Sequence, residues 1–323
     1  MADSARKPLT FRRAWKATRR YVMWLLARVL LTVLPLVPHP VLRIVCRTLV
    51  APIARLRFRN QTERNLRLAF GASLDDAGRE RILRGVFLHV AEQCADLIAF
   101  VRRGRKLFEG RLDASAIKSP LHDFEARWSG GWIAITGHIG NWELLGSWFG
   151  ANSRSGTCFA VAKRMPNARL NALVEDLRRR FGIEPLYRDD AASRPVHLLK
   201  SGKALVLVPD QDIRSMAGVF VDFFGRPAWT PVGPARLAYA ANVPIWGGFF
   251  VRVGRGFRIE PMEPIWPDTT RPKDEEVLRM TRAWSSQFEA IIRRYPEQWP
   301  WYHDRWKTKP IDAPAVMATD ELS

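Results

Sequence analysis

The stretch Trp132–Gly146, W-I-A-I-T-G-H-I-G-N-W-E-L-L-G, does most to limit how this chain can fold. Trp132–Thr136 is an apolar, partly β-branched run, which predicts a buried strand. Gly137 and Gly140 bracket a tight bend, and Asn141 is a good N-cap for a helix carrying Trp142, Leu144, Leu145 and Trp148. His138 falls where the strand ends and Glu143 in the first turn of the helix. Within one continuous helix the two would lie about 140° apart, but across a strand-to-helix bend they can converge. A carboxylate is also favoured at the helix N-terminus. Glu143 is therefore expected to fix the tautomer of His138, leaving the other ring nitrogen to take a proton. The bland alternative is a buried histidine hydrogen-bonded at a helix start.

The rest of the chain narrows the class. Its 323 residues, 47% of them hydrophobic, suffice for one large α/β domain or two small ones and argue against disorder. A net charge of +19 leaves nucleic acid, an anionic membrane and an acidic substrate open. Thirteen tryptophans suit contact with lipid headgroups as well as core filling. Cys46, Cys94 and Cys158 show no paired spacing, so neither a disulfide scaffold nor a zinc site is expected.

Residues 1–20 form a basic N-terminal arm. Tyr21–Val37 is apolar but interrupted by Arg28, Thr32 and Pro35, at the lower limit for a membrane span and with a costly arginine near its middle. Pro38-His39-Pro40 stands where a signal-peptide cleavage site would be. Val41–Leu56 places Arg43, Arg47 and Arg55 roughly on one side of a helix, as an interfacial helix would. Residues 21–56 are accordingly expected to be a membrane-associated helical segment, with a buried hairpin as the alternative. Basic residues on both sides of the apolar run place both flanks in the cytoplasm, with the segment lying in one leaflet.

Within 57–309, helices are expected over 75–102, 167–181, 194–201 and 275–295, with loop and short helix over 106–130. Strands are expected over 158–161, 183–187 and 204–208, and a strand pair over 244–253 and 256–262. That alternation implies an α/β fold with a mostly parallel or mixed sheet flanked by helices. Residues 310–323 are expected to be a disordered tail.

The segment G-H-I-G-N-W-E resembles the signature of the lipid A biosynthesis (late) acyltransferases, the HtrB-like branch of the lysophospholipid acyltransferase superfamily, in its His-x4-Glu form. Further blocks match in order: R-N-Q-T-E-R-N-L-R-L-A-F-G at 59–71, K-R-M-P-N at 163–167, V-F-V-D-F-F-G at 219–225, Thr230–Gly233, and P-E-Q-W-P-W-Y-H-D-R-W-K at 296–307. The resemblance covers roughly residues 20–309. It implies a single glycerolipid-acyltransferase-like domain at the cytoplasmic face of the inner membrane. It also implies an acyl thioester donor (acyl carrier protein or acyl-CoA), a lipid A precursor as acceptor, and neither metal nor other cofactor. A basic surface suits an acidic carrier protein, a phosphorylated glycolipid and an anionic membrane alike.

Acyl transfer to a hydroxyl needs a base and stabilisation of the developing oxyanion. His138 is the candidate base and Glu143 its partner. No G-x-S-x-G elbow occurs, so direct attack by the acceptor hydroxyl is expected rather than an acyl-enzyme. Resemblance points to Arg178, in R-R-R-F-G, as a phosphate or oxyanion ligand; the alternative is a solvated run of Arg178, Arg179 and Arg180. Asp210 stands at the carboxyl end of a buried strand, where open α/β sheets place functional groups, with a turn-forming Asp as the alternative. Arg164 either contacts a phosphorylated ligand or lies on the surface. Asp212 is a weaker candidate; His89, His122 and His197 are read as structural, and His303-Asp304 as packing, with an interfacial role as the alternative. Acylation of another glycolipid or a phospholipid is the close alternative. A non-catalytic basic membrane-binding protein is a more distant one. Nucleic-acid binding has only charge in its favour, so no nucleic-acid partner is expected.

Overall fold

The computed structural model describes residues 11–187 and 193–310, with side chains described from residue 15. The N-terminal arm before residue 11 and the tail after 310 lie outside those residues.

Helices come first: α1 (Phe11–Val33), α2 (His39–Phe70) and α3 (Asp76–Arg103). Among the described residues no helix is long and apolar enough to cross a membrane. α2 is a single helix of 32 residues, so both the apolar stretch 41–56 and the R-N-L…A-F block lie on it, and a domain boundary at 56/57 would fall inside it. Pro52 within it forfeits a backbone hydrogen bond, a cost of about 3 kcal/mol that packing against α3 must offset. Buried charges lock the pair. His39 Nε2 meets Asp96 at 2.9 Å, Arg43 and Arg47 converge on Glu92, and Arg252 bridges Glu92 and Asp96 to the sheet. Asp75 caps α3 by accepting from Gly78 N at 2.7 Å. The outer faces of α1 and α2 leave Leu26, Leu30, Ile44, Leu49, Ile53 and Leu56 exposed.

The remaining elements alternate: β1 (Leu112–Asp113), α4 (Ser115–Arg127), β2 (Trp132–Ile135), α5 (Trp142–Asn152), β3 (Cys158–Ala162), α6 (Ala168–Arg180), β4 (Ile183–Tyr187), α7 (Ser193–Lys200), β5 (Ala204–Leu207), β6 (Gly218–Asp222), β7 (Pro227–Pro231), α8 (Gly233–Ala241), β8 (Ile245–Val253), β9 (Gly256–Pro261) and α9 (Lys273–Arg294). Seven strands form one sheet in the order β1-β9-β8-β2-β5-β3-β4. Pairing from β8 through β4 is parallel, β9 runs antiparallel to β8, and β6–β7 is a separate antiparallel hairpin. The expected α/β architecture is thus observed. The β6–β7 hairpin and the short edge strand β1 are additions to it.

β2 is buried along its whole length between β5 and β8, as its unbroken apolar run requires. Helix α9 packs Val277, Trp284, Phe288 and Ile292 inward; Asp274, Glu275 and Glu276 in its first turn and Arg293 and Arg294 in its last complement its dipole. The parallel register Ile135↔Leu207 brings the carboxyl ends of β2 and β5 side by side, and this adjacency positions the site.

Candidate active site

His138 leaves the end of β2, and Asp210 leaves the end of the neighbouring β5. Nδ1 of His138 lies 2.6 Å from Asp210 Oδ1, while Asp210 Oδ2 accepts from the His138 backbone N–H at 2.9 Å. Trp299 Nε1 donates to the same Oδ2, also at 2.9 Å. Asp210 is buried and meets three donors. Burial would raise its pKa, but the charge of His138 and the hydrogen bonds from His138 and Trp299 outweigh this and hold it down at about 2. For His138, burial pulls the pKa down, and the Asp210 charge and hydrogen bond more than reverse it, leaving it raised. With Nδ1–H donating to a carboxylate, Nε2 is the unprotonated nitrogen of the neutral ring. Gln211 Nε2 sits 3.4 Å from it, an amide donor facing an acceptor.

The orienting contact expected of Glu143 therefore belongs to Asp210. Asn141 does cap α5, accepting from Leu144 N at 3.4 Å, and that geometry sends Glu143 toward α6. There it binds Arg178, with Arg178 Nη2 at 2.5 Å from Oε1 and Nε at 3.3 Å from Oε2. Glu143 still adds a smaller raising effect on His138 through its charge. Glu143 raises the Arg178 pKa against the opposing effect of burial. The three arginines of R-R-R-F-G thus separate: Arg179 binds Glu175 and Glu184, Arg180 binds Asp176, and Arg178 alone of the three enters the cleft. Arg164 stacks 3.8 Å above the ring of Tyr187. Asp212, buried, ties down Thr308 through both its N–H and its hydroxyl.

The loop between strand and helix is braced from below. A Cβ on Gly137 would come 3.2 Å from Asp210 Oδ2 and from the Phe288 ring, so a larger residue there would have to push the carboxylate or the ring aside by a few tenths of an ångström. Gly140 has φ +60°, and a Cβ there would stand 2.0 Å from the Phe250 carbonyl oxygen. From α3, Gln93 Nε2 donates to the carbonyl of Gly140, and His89 lies beside the same loop. Burial, then the Arg252 charge, pushes His89 down to about 4, so it stays neutral.

His138, Gln211, Glu143 and Arg178 open onto a cleft of about 640 Å³ walled by Trp142, Val161, Val174, Val206, Ile213 and Leu237 among others. An apolar wall with a base at one end can hold a chain and activate a hydroxyl next to it. Trp299, Gln211, His89 and Gln93 were not recognisable as site residues in the sequence. Only the match of the 296–307 block hinted that Trp299 is more than core filling.

The chain is 32% identical over 176 residues to phosphatidylinositol mannoside acyltransferase of Mycobacterium tuberculosis, covering 52% of each chain. It is 28% identical over 229 residues to the enzyme of that name from Mycolicibacterium smegmatis, covering 66% of this chain and 71% of the relative. Against the lipid A biosynthesis lauroyltransferase of Escherichia coli, identity is 31% over 128 residues, 37% of this chain and 39% of the relative. The chain thus spans about half the length of the Mycobacterium tuberculosis relative. The model of the bacterial lipid A biosynthesis acyltransferases matches residues 9–308, so the chain belongs to that family.

Proposed function

We propose that this protein transfers a fatty acyl chain from an acyl thioester, carried by acyl carrier protein or CoA, to a hydroxyl of a lipid A precursor. The observation that carries this reading is the His138–Asp210 pair facing an apolar cleft, with Nδ1 held by Asp210 so that Nε2 is the acceptor of the neutral ring. The acceptor oxygen attacks the thioester carbonyl carbon while its proton passes to Nε2. Asp210 stabilises the imidazolium that results. The C–S bond then breaks, and Nε2 returns the proton to the departing thiolate. Glu143, the acidic member of the His-x4-Glu spacing, holds Arg178 at the cleft, where its free N–H groups can meet the carbonyl oxyanion or an acceptor phosphate.

A second acceptor, a phosphatidylinositol mannoside-like glycolipid, is favoured by the longer matches to the mycobacterial relatives. The deciding experiment incubates the purified protein with acyl-thioester and each acceptor and follows the product by mass spectrometry. A mass gain of one acyl chain on the lipid A precursor is expected. Acylation of the mannoside alone would shift the acceptor, and hydrolysis or no turnover with either would refute the reading.

The exposed apolar faces of α1 and α2, interleaved with arginines, support association with the cytoplasmic face of the inner membrane without a span. Protease added outside spheroplasts is expected to cleave neither an N-terminal nor a C-terminal tag; cleavage of one tag alone would show a single span.

A further inference from the structure

Helix α6 borders two clefts. At 100° per residue, Val174 and Arg178 face the catalytic cleft, while Arg169, Asp176 and Arg180 lie roughly 150° around the axis. On that second face, between α6, α1 and the end of α3, is a cleft of about 580 Å³. Its charged lining is Arg28, Arg169, Arg180 and Asp176, and Asp176 is taken by Arg180 at 2.6 Å. Among the described residues Arg28 and Arg169 make no ion pair. Both instead approach the Trp24 ring, at 5.5 Å and 5.9 Å from its centroid, and Arg169 is also 5.3 Å from that of Tyr21. An indole orients two guanidinium groups but supplies no countercharge. Asn167 Nδ2 donates to the Arg20 carbonyl at 2.8 Å and holds α1 to the start of α6.

Both arginines are exposed, so an anion from outside can reach them, and the surroundings select its kind. Leu25, Leu26 and Val29 of α1 are exposed beside Arg28, so an apolar chain attached to the anion would have a surface to lie on. A free anion would gain nothing from that surface. The position also accounts for an arginine in the middle of the apolar run 21–37.

We propose that the α1–α6 cleft binds the phosphate diester of an anionic membrane lipid, with Arg28 and Arg169 as its cationic clamp and Trp24 as the ring between them. The proposal rests on the reading that α1 and α2 meet a membrane. The site is separate from the catalytic cleft, on the opposite face of α6.

The test is sedimentation of the full chain with vesicles of phosphatidylcholine alone or mixed with phosphatidylglycerol. Wild type is expected to prefer the mixed vesicles. R28Q/R169Q is expected to bind them about 30-fold more weakly, since each arginine near an anionic surface adds about 1 kcal/mol, and to bind phosphatidylcholine unchanged. R28K/R169K should keep the preference. The control R255Q/R282Q, with the same loss of charge on another part of the surface, should lose little. Equal losses in the control would show diffuse attraction and overturn the site. Equal binding to both vesicle types would overturn it while leaving membrane association standing, whereas binding to neither would overturn both. Loss of the preference on adding inorganic phosphate at matched ionic strength would reassign the cleft to a free anion and refute the lipid.

Discussion

Replacing Asp210 with asparagine changes one atom and discriminates between the two carboxylates near His138. Asp210 Oδ2 accepts from the His138 backbone N–H and from Trp299 Nε1, each at 2.9 Å, and Oδ1 accepts from Nδ1 at 2.6 Å. Asparagine has one oxygen, and two fixed N–H donors claim it. Its NH2 then faces Nδ1, which must become the acceptor, so the ring proton moves to Nε2. That is the atom the acceptor hydroxyl needs empty. The loss in kcat should equal the contribution of a positioned base, about 10²–10⁴-fold. This corresponds to about 2.8–5.6 kcal/mol at about 1.4 kcal/mol per tenfold. Three hydrogen bonds are kept in number and the shape is unchanged, so the protein should stay folded, with a melting temperature lowered only by loss of the stronger hydrogen bonds that a charged acceptor makes. The wild-type base works when neutral, and its pKa is raised, so activity should climb through an acid limb lying above pH 6.5 and then level off. In D210N the raising charge is gone and burial remains, so the limb moves to lower pH. The plateau stays low because the tautomer is wrong, and alkali does not rescue it. Initial rates of radiolabelled acyl transfer across pH, with the His138 ring nitrogens followed by NMR, measure both effects. A D210N enzyme within a few-fold of wild type, with its acid limb unmoved, would refute the reasoning.

Glu143→Gln and Arg178→Ala each break the ion pair at the cleft and should each slow transfer about tenfold, or about 1.4 kcal/mol. The double variant should be little worse than either, because the two act as one unit in a rate cycle. Trp299→Phe removes one donor from a buried carboxylate and should cost about 1–3 kcal/mol of stability in denaturant titration. Asp210 contributes stability that is complete above 3.8 and lost as pH falls through about 2; with one donor fewer that depression shrinks, so acid unfolding of W299F should begin at higher pH. Gly140→Ala meets both a positive φ and the Phe250 carbonyl, and should lower stability by about 1–3 kcal/mol while displacing the His138 loop, read as a lower melting temperature with lost turnover.

Local signals in the sequence located most elements, because strand and helix periods and end residues are local. The strand at Ile183–Tyr187 coincides with its expected bounds, and the Asn141 cap is where its residue type put it. The pairing within the site was not legible, since it depends on which strands are neighbours. Glu143 stands five positions from His138 and Asp210 stands 72 positions from it, yet β5 lies beside β2 and brings the distant carboxylate closer. Asp210 could be singled out for standing at a strand end, but its partner could not. Trp299 and Gln93 reach the site from the far end of the chain and from α3, and nothing in their immediate neighbours marks them. The continuity of α2 through Pro52 was likewise hidden, because the compensation comes from α3 rather than from α2 itself.

The third donor to Asp210 has a consequence for how the protein is made. Trp299 is the last site residue to be synthesised, while α1 and α2 are complete by residue 70. At about 5–20 residues per second, the ribosome adds the intervening stretch in roughly 10–45 s. Throughout that interval the nascent chain carries the exposed apolar faces of α1 and α2 but lacks the indole that steadies Asp210. The exposed apolar faces of α1 and α2 therefore exist before the catalytic pair is complete; if they dock on a membrane as proposed, a chain docked early would first become competent to turn over there.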